Sequence, residues 1–298
     1  MLQQLLMDIM EDTGLVSYIG KVNMDKDAPA LLCETSAEYA GFDTFGWVNK
    51  TINKYRNTKP ILTPRFIPTC SSELLEQLQE IQAAYNLPVQ SHLSENLGEI
   101  DYVKKMYPNI KNYADAYDQF GLFGVNKENN KYHTIMAHCV YSKDEEVEML
   151  KKNEVFVAHC PSSNNNLSSG IAPIRTFLDN NILVGLGSDV AGGHSESILR
   201  TICDTVQVSK LYWRLIDKTK NALSFKEAFY LGTKGGGKFF GKVGSFESGY
   251  DFSCVVLDDS LIKHPFELTI EQRLERASYS ALDLYGICAK FILKDKII

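Results

Sequence analysis

The stretch Ile182-Leu183-Val184-Gly185-Leu186-Gly187-Ser188-Asp189-Val190-Ala191-Gly192-Gly193-His194 decides how the rest of this chain is read. Its short apolar run predicts a buried parallel strand, with Asp189 at the strand's C-terminal mouth. A lone carboxylate in that place costs several kcal/mol to desolvate unless something cationic meets it. Three upstream strands end the same way, each in a histidine: Val89-Gln90-Ser91-His92, Ile135-Met136-Ala137-His138 and Phe156-Val157-Ala158-His159. Polar groups at four successive strand ends describe one site at the top of an α/β barrel, and imply metal-assisted hydrolysis.

Working outward, strands and helices alternate in the βα rhythm. Strands are predicted over 15–24, 60–67, 88–94, 134–140, 155–160 and 182–189, six where a closed barrel needs eight. Residues 2–10 place Leu2, Leu5, Leu6, Ile9 and Met10 on one helical face with no N-cap residue in front. Ser72 precedes a helix whose Leu74, Leu75, Leu78, Ile81 and Tyr85 share a face. Ser142 with Glu145, and Ser224 with Glu227, have capping-box spacing. Pro173 stands near the start of a helix carrying Ile174, Phe177 and Leu178, and a longer helix is expected over 196–216. Gly235-Gly236-Gly237 reads as a bend before a β-like tail, at 251–257 and 291–293.

Composition narrows the function classes. With 44% hydrophobic and 23% charged residues in 298, the chain has the profile of a globular protein with a sizeable core. A net charge of −6 without a Lys/Arg cluster argues against a nucleic-acid partner. The seven cysteines are odd in number and include no C-x-x-C pair, which fits reduced thiols better than disulfides or a thiolate zinc site. No run approaches the ~18 apolar residues of a membrane span, and the first ten residues lack a signal peptide's basic start, so a cytoplasmic location is expected.

Chemistry concentrates at the strand ends. In His92-Leu93-Ser94-Glu95 a potential zinc ligand is followed three residues later by a carboxylate able to move protons. Asp189 adds an oxygen ligand that can also accept a proton from water. His138 and His159 share the Ala-His-Cys context, so the residues alone do not rank them; the stiff Cys160-Pro161 turn favours a supporting role for His159. His133, His194 and His264 lack such a setting and read as surface or supporting histidines. Arg65, beside Phe66, offers either an ion pair or a fork of donors for the acceptor edge of a planar heterocycle. H-E-x-x-H, the phosphate-binding G-x-x-x-x-G-K-[ST] loop and the dinucleotide G-x-G-x-x-G are absent, as is the P-C-x-x-C of cytidine-type deaminases.

Taken with their order, Ser91-His92-Leu93-Ser94-Glu95-Asn96, Met136-Ala137-His138, Val157-Ala158-His159-Cys160-Pro161-Ser162-Ser163-Asn164 and Gly187-Ser188-Asp189-Val190-Ala191-Gly192-Gly193 resemble the guanine deaminases of the metal-dependent amidohydrolase superfamily. Gly20-Lys21-Val22-Asn23-Met24-Asp25, Pro60-Ile61-Leu62-Thr63-Pro64-Arg65-Phe66 and Tyr107-Pro108-Asn109-Ile110-Lys111-Asn112-Tyr113 extend the likeness, and 244–252 resembles the family's entry into its β-sandwich. The resemblance implies a (β/α)8 TIM barrel over 1–240, without its first two strands, and the C-terminal part of a small β-sandwich over 241–298. It implies His92 and Asp189 as metal ligands, with zinc expected and iron the alternative. It makes Glu95 the proton shuttle, Asp189 the base and His138 the group beside the attacked carbon; Arg65 and Phe66 hold the purine, in contact with His92, Glu95 and Asp189. Guanine is then the expected partner, hydrolysed to xanthine and ammonia by a homodimer.

One departure stands out. The family carries a His-x-His pair on its first strand, and no His-x-His occurs here. Two protein ligands are fewer than the three or more of a catalytic zinc site. An N-terminally truncated or late-started version of a longer enzyme is therefore expected. The alternatives are a non-catalytic relative serving as a binding or assembly module, and an amidohydrolase for another amino-heterocycle.

Overall fold

The apolar runs become strands that pair in chain order. The computed structural model describes residues 2–124 and 133–255. These fall into two units: the described residues up to Ala158 with Asp179–Ile182, and His159–Leu178 with the residues from Leu183 onward. In the first unit, β1 (Ser17–Asn23) lies parallel to β2 (Thr58–Pro64) along its whole length, from Ser17 opposite Thr58 to Asn23 opposite Pro64. The strand β3 (Val89–Leu93) meets β2 only at Leu62 opposite Val89, but pairs with β4 (Thr134–His138) at all five positions. Residues 156–158 of β5 (Phe156–His159) continue the parallel ladder against Ile135–Ala137. All six expected strands form, with β6 (Val184–Leu186) in the second unit; the parallel α/β arrangement is that of the amidohydrolase fold.

The first unit's helices are α1 (Leu2–Thr13), α2 (Ala37–Thr51), α3 (Ser72–Tyr85), α4 (Leu97–Met106), α5 (Tyr113–Asp118) and α6 (Asp144–Lys152). Leu74, Leu75, Leu78 and Ile81 of α3 are buried as their spacing requires. Its cap is Ser71, whose Oγ accepts the Leu74 N–H at 3.1 Å. The expected Ser142–Glu145 capping box does not form. Lys143 occupies the N-cap of α6 without a side-chain bond, and Asp144, Glu145 and Glu146 supply the negative charge its first turn favours. The apolar residues Leu2, Leu5, Leu6 and Ile9 of α1 are exposed, while Met7 is buried. Polar groups hold this helix instead, because the Glu11 carboxylate accepts the backbone N–H groups of Arg56, Asn57 and Thr58.

The second unit contains α7 (Pro161–Asn166), most of α8 (Ile174–Asp179), β6, α9 (Ile198–Leu211) and α10 (Phe225–Tyr230). Ile202 and Val206 of α9 pack on Phe225 and Ala228 of α10, whose start is closed by the expected Ser224–Glu227 capping box. The expected helix over 196–216 is α9 followed by a wider π-turn at Tyr212–Ile216. Gly235-Gly236-Gly237 is not the expected bend. It continues helically from α10 and comes close to β6, where a Cβ on Gly185 would lie 3.0 Å from the Gly236 Cα. Residues 251–255 take no regular structure, and the remaining β-sandwich strands expected at 256–257 and 291–293 lie outside the described residues. Among the described residues no helix is long and apolar enough to cross a membrane. Since the Gly185 contact is backbone against backbone, Gly185→Ala should destabilise the protein by about 1–3 kcal/mol. A urea titration checks this, and an unchanged midpoint would refute the close approach.

Candidate active site

Where β2 ends, Pro64-Arg65-Phe66 turns away from the sheet, and Arg65 extends the β1 ladder by one bond, its N–H reaching the Asn23 carbonyl at 3.1 Å. The Arg65 guanidinium carbon lies 5.6 Å from the Phe66 ring centre, and Nη1 approaches the Met24 sulfur at 3.7 Å. Phe66 is tilted against His92, their ring centres 6.1 Å apart. His92 stacks on His138 at 5.1 Å with 22° between planes, and His138 Nε2 stands 3.7 Å from Glu95 Oε2. The first unit therefore brings together Arg65, Phe66, His92, Glu95 and His138, five of the six expected site residues. Arg65, Phe66, His92 and Glu95 are half-buried, whereas His138 is buried.

The backbone leaves these strands through a strained region. Ser94, His138 and Cys139 have φ of 47°, 72° and 48°, in the left-handed region that costs a side-chain-bearing residue about 1–3 kcal/mol. Backbone bonds from Cys139 N–H to the Leu93 carbonyl and from Tyr141 N–H to the Ser94 carbonyl hold the two exits together. Buried Glu146 reinforces them, accepting from Ser94 Oγ at 2.8 Å and from the Ala114 N–H at 3.0 Å. Burial pushes its carboxyl above the usual range.

Behind Glu95, one helical turn along α4, lies Glu99, which accepts from the Tyr113 hydroxyl at 2.6 Å. Neither Glu99 nor the tyrosines of α5 were singled out as functional from the sequence. The available signal was Tyr113 and Tyr117 four residues apart, one face of a helix. Burial pushes the Glu99 carboxyl up to about 7 from an ordinary 4.5, outweighing the Tyr113 bond that favours its charge. The folded chain thus holds this proton more tightly than the unfolded chain, and Glu99's contribution to stability falls as pH rises from 4.5 through about 7. Glu99→Gln should gain on the wild type across that window and level off above it. Urea titrations near pH 5 and near pH 8 check this, and a gap that does not widen with pH would count against it.

Asp189 and His159 belong to the second unit. His159 is buried at the end of β5, and its carbonyl accepts the Gly187 N–H at 2.9 Å. Asp189 is half-buried, has φ 45°, and accepts the Gly193 N–H on its carbonyl at 2.5 Å. This tight loop requires Gly193, whose Cβ would fall 2.1 Å from the Ser188 carbonyl oxygen. Residues of α7 brace the loop from outside. Ser162 Oγ lies 2.6 Å from His194 Nδ1, and Asn166 Nδ2 donates to the Gly192 carbonyl at 2.9 Å. His194 is exposed, in keeping with a surface histidine.

His92 Nδ1 lies 2.6 Å from the Arg65 carbonyl oxygen, which can only accept, so Nδ1 carries the proton and Nε2 is the nitrogen left for a metal. Of the two expected metal ligands, His92 lies in the first unit and Asp189 in the second, and among the described residues no three His, Cys, Asp or Glu side chains are grouped so as to hold a metal ion. The described residues by themselves do not make up a three-ligand zinc site.

Known proteins resemble this chain in sequence and fold. The amidohydrolase family model matches residues 8–295. Guanine deaminase from Dictyostelium discoideum is 38% identical over 268 residues, covering 89% of this chain and 58% of its own length. The crystal structure of guanine deaminase from C. acetobutylicum with bound guanine in its active site superposes with a TM-score of 0.83 at 44% identity, over 93% of this chain and 64% of that one. An adenosine deaminase from Xanthomonas campestris with bound zinc shares the fold at 20% identity, with a TM-score of 0.68 over 80% of this chain and 52% of its own. This chain thus spans between half and two thirds of the length of these relatives. With nearly its entire length matched by the family model and its strand-end residues arranged as described, the chain belongs to the amidohydrolase family.

Proposed function

We propose that this chain carries hydrolytic deamination of guanine to xanthine and ammonia. The observation that carries the reading is the Arg65–Phe66 pair beside stacked His92 and His138, with Glu95 3.7 Å from His138. A guanidinium fork suits the O6/N7 acceptor edge of a purine, and Phe66 offers a flat apolar surface to its ring. Water adds to the amino-bearing carbon and gives up a proton, for which Asp189 is the proposed base. Glu95 delivers one proton to the ring nitrogen that the addition leaves electron-rich and another to the amino group, the carbon–nitrogen bond breaks, and ammonia leaves as the carbonyl forms. These two protons are replaced by the two that the water gives up. His138 stabilises the charge that develops at the tetrahedral carbon. Support comes from the two guanine deaminases among the relatives above, one of them with guanine bound.

Zinc is the proposed cofactor and iron the alternative; neither has a complete ligand set in His92 and Asp189 alone. A homodimer in the cytoplasm is proposed as the working form, and the division at residue 240 into barrel and β-sandwich segment is likewise a proposal.

Ammonia release from guanine, with zinc supplied, tests the activity. Arg65→Lys should raise KM by about 10- to 100-fold, because an ammonium cannot reproduce the fork; a KM within twofold of wild type would remove Arg65 from the purine site. Glu95→Gln should lower kcat by about 100-fold or more with melting unchanged, and turnover that survives would reassign the proton shuttle. The short metal-donor set favours one second reading, a non-catalytic purine-binding relative. Calorimetric binding of guanine without ammonia release would select it.

A further inference from the structure

Beyond Leu62 and Val89 the β2–β3 ladder gives way to side chains, since Pro64 has no N–H to contribute. Gln90 Nε2 donates to Thr63 Oγ1 at 2.9 Å. Ser91 Oγ donates to the Pro64 carbonyl at 2.7 Å and shares that proton with the Arg65 carbonyl at 3.1 Å. The Arg65 carbonyl also receives the 2.6 Å bond from His92 Nδ1. Behind this junction the Tyr117 hydroxyl lies 2.8 Å from Ser91 Oγ and 2.8 Å from the His92 carbonyl. Because the Ser91 proton is committed to the β2 carbonyls, the Tyr117 proton goes to Ser91 Oγ or to the His92 carbonyl. Tyr117 is fully buried, its ring stacked between Tyr113 at 5.8 Å and Phe123 at 6.4 Å. A buried hydroxyl with two oxygen partners fixes both of them, because losing either leaves a polar group dry.

We infer that Tyr117 and Ser91 are positioning residues that clasp the β2 and β3 exits together, holding the Arg65 carbonyl on His92 Nδ1 and so fixing the imidazole in its Nδ1–H tautomer. The same clasp sets Arg65 and Phe66 in register with His92, and its consequence for guanine rests on the function proposed above. The tautomer rests on the geometry alone.

Nitrogen NMR of the histidine-labelled, metal-free full chain reads the tautomer directly, with the His92 signals assigned by their loss in His92→Gln. Wild type should show His92 as a single Nδ1–H tautomer. Tyr117→Phe keeps the ring stack and should give a mixture of tautomers, as should Ser91→Ala. A hydroxyl with a merely structural part would lower the melting temperature and leave the tautomer alone. If both variants keep a single Nδ1–H tautomer, the clasp is overturned. Should Tyr117→Phe fail to fold by circular dichroism, Ser91→Ala decides in its place. In ammonia release, a mixed tautomer should accompany a roughly tenfold rise in KM with a smaller change in kcat. A mixed tautomer in the variants, with no ammonia from guanine even in wild type, would uphold the clasp and overturn the purine reading.

Discussion

The Arg65 carbonyl oxygen is the point on which the candidate site depends. It closes the exit of one strand and receives the imidazole proton of the next, so the Arg65 main chain and the His92 side chain are tied at one atom. A side-chain contact between Arg65 and His92 would give way with either rotamer. With a main-chain acceptor only the His92 rotamer can give way, which suits a site whose groups must stay within fractions of an ångström of their places.

Strain and support coincide around that point. Ser94, His138 and Asp189 each leave their strands in left-handed backbone. Such conformations persist where surrounding bonds over-determine them. Glu146 and the Cys139 and Tyr141 amides do this for the first two, and the Gly193 N–H does it for the third. Of the six residues proposed for the site, His138 and Asp189 are therefore held in unfavourable backbone geometry.

Much of this was legible in the residue order. The apolar runs fixed all six strands, because a parallel strand buried on both faces leaves a continuous hydrophobic signature. Polar residues ending those runs marked the strand mouths, and Arg65, Phe66, His92, Glu95 and His138 were placed together from that pattern and the resemblance it carried. The pattern could not show which oxygen accepts which proton. Ser91 reads as an ordinary strand residue and Tyr117 as helix core, and only three-dimensional closure brings their hydroxyls to the same carbonyls. The missed cap has a similar cause. The Ser142–Glu145 spacing satisfied the rule while the first turn of α6 drew its stabilisation from other acids. On α1 periodicity grouped the leucines correctly, but the bonds made by Glu11 determined which side faces the unit.

The single backbone pair between β2 and β3 has a mechanical consequence. β1 with β2 forms one stiff raft and β3 with β4 another, each zipped along its length, and between them runs a seam of one residue pair and a few side chains. Elastic deformation of a sheet collects at its softest joint. The Tyr117–Ser91 clasp spans that joint, on the line that separates Arg65 and Phe66 from His92 and His138, where the ladder is thinnest. Two hydroxyls replace a backbone ladder at this joint, so a change to either is felt by both rafts.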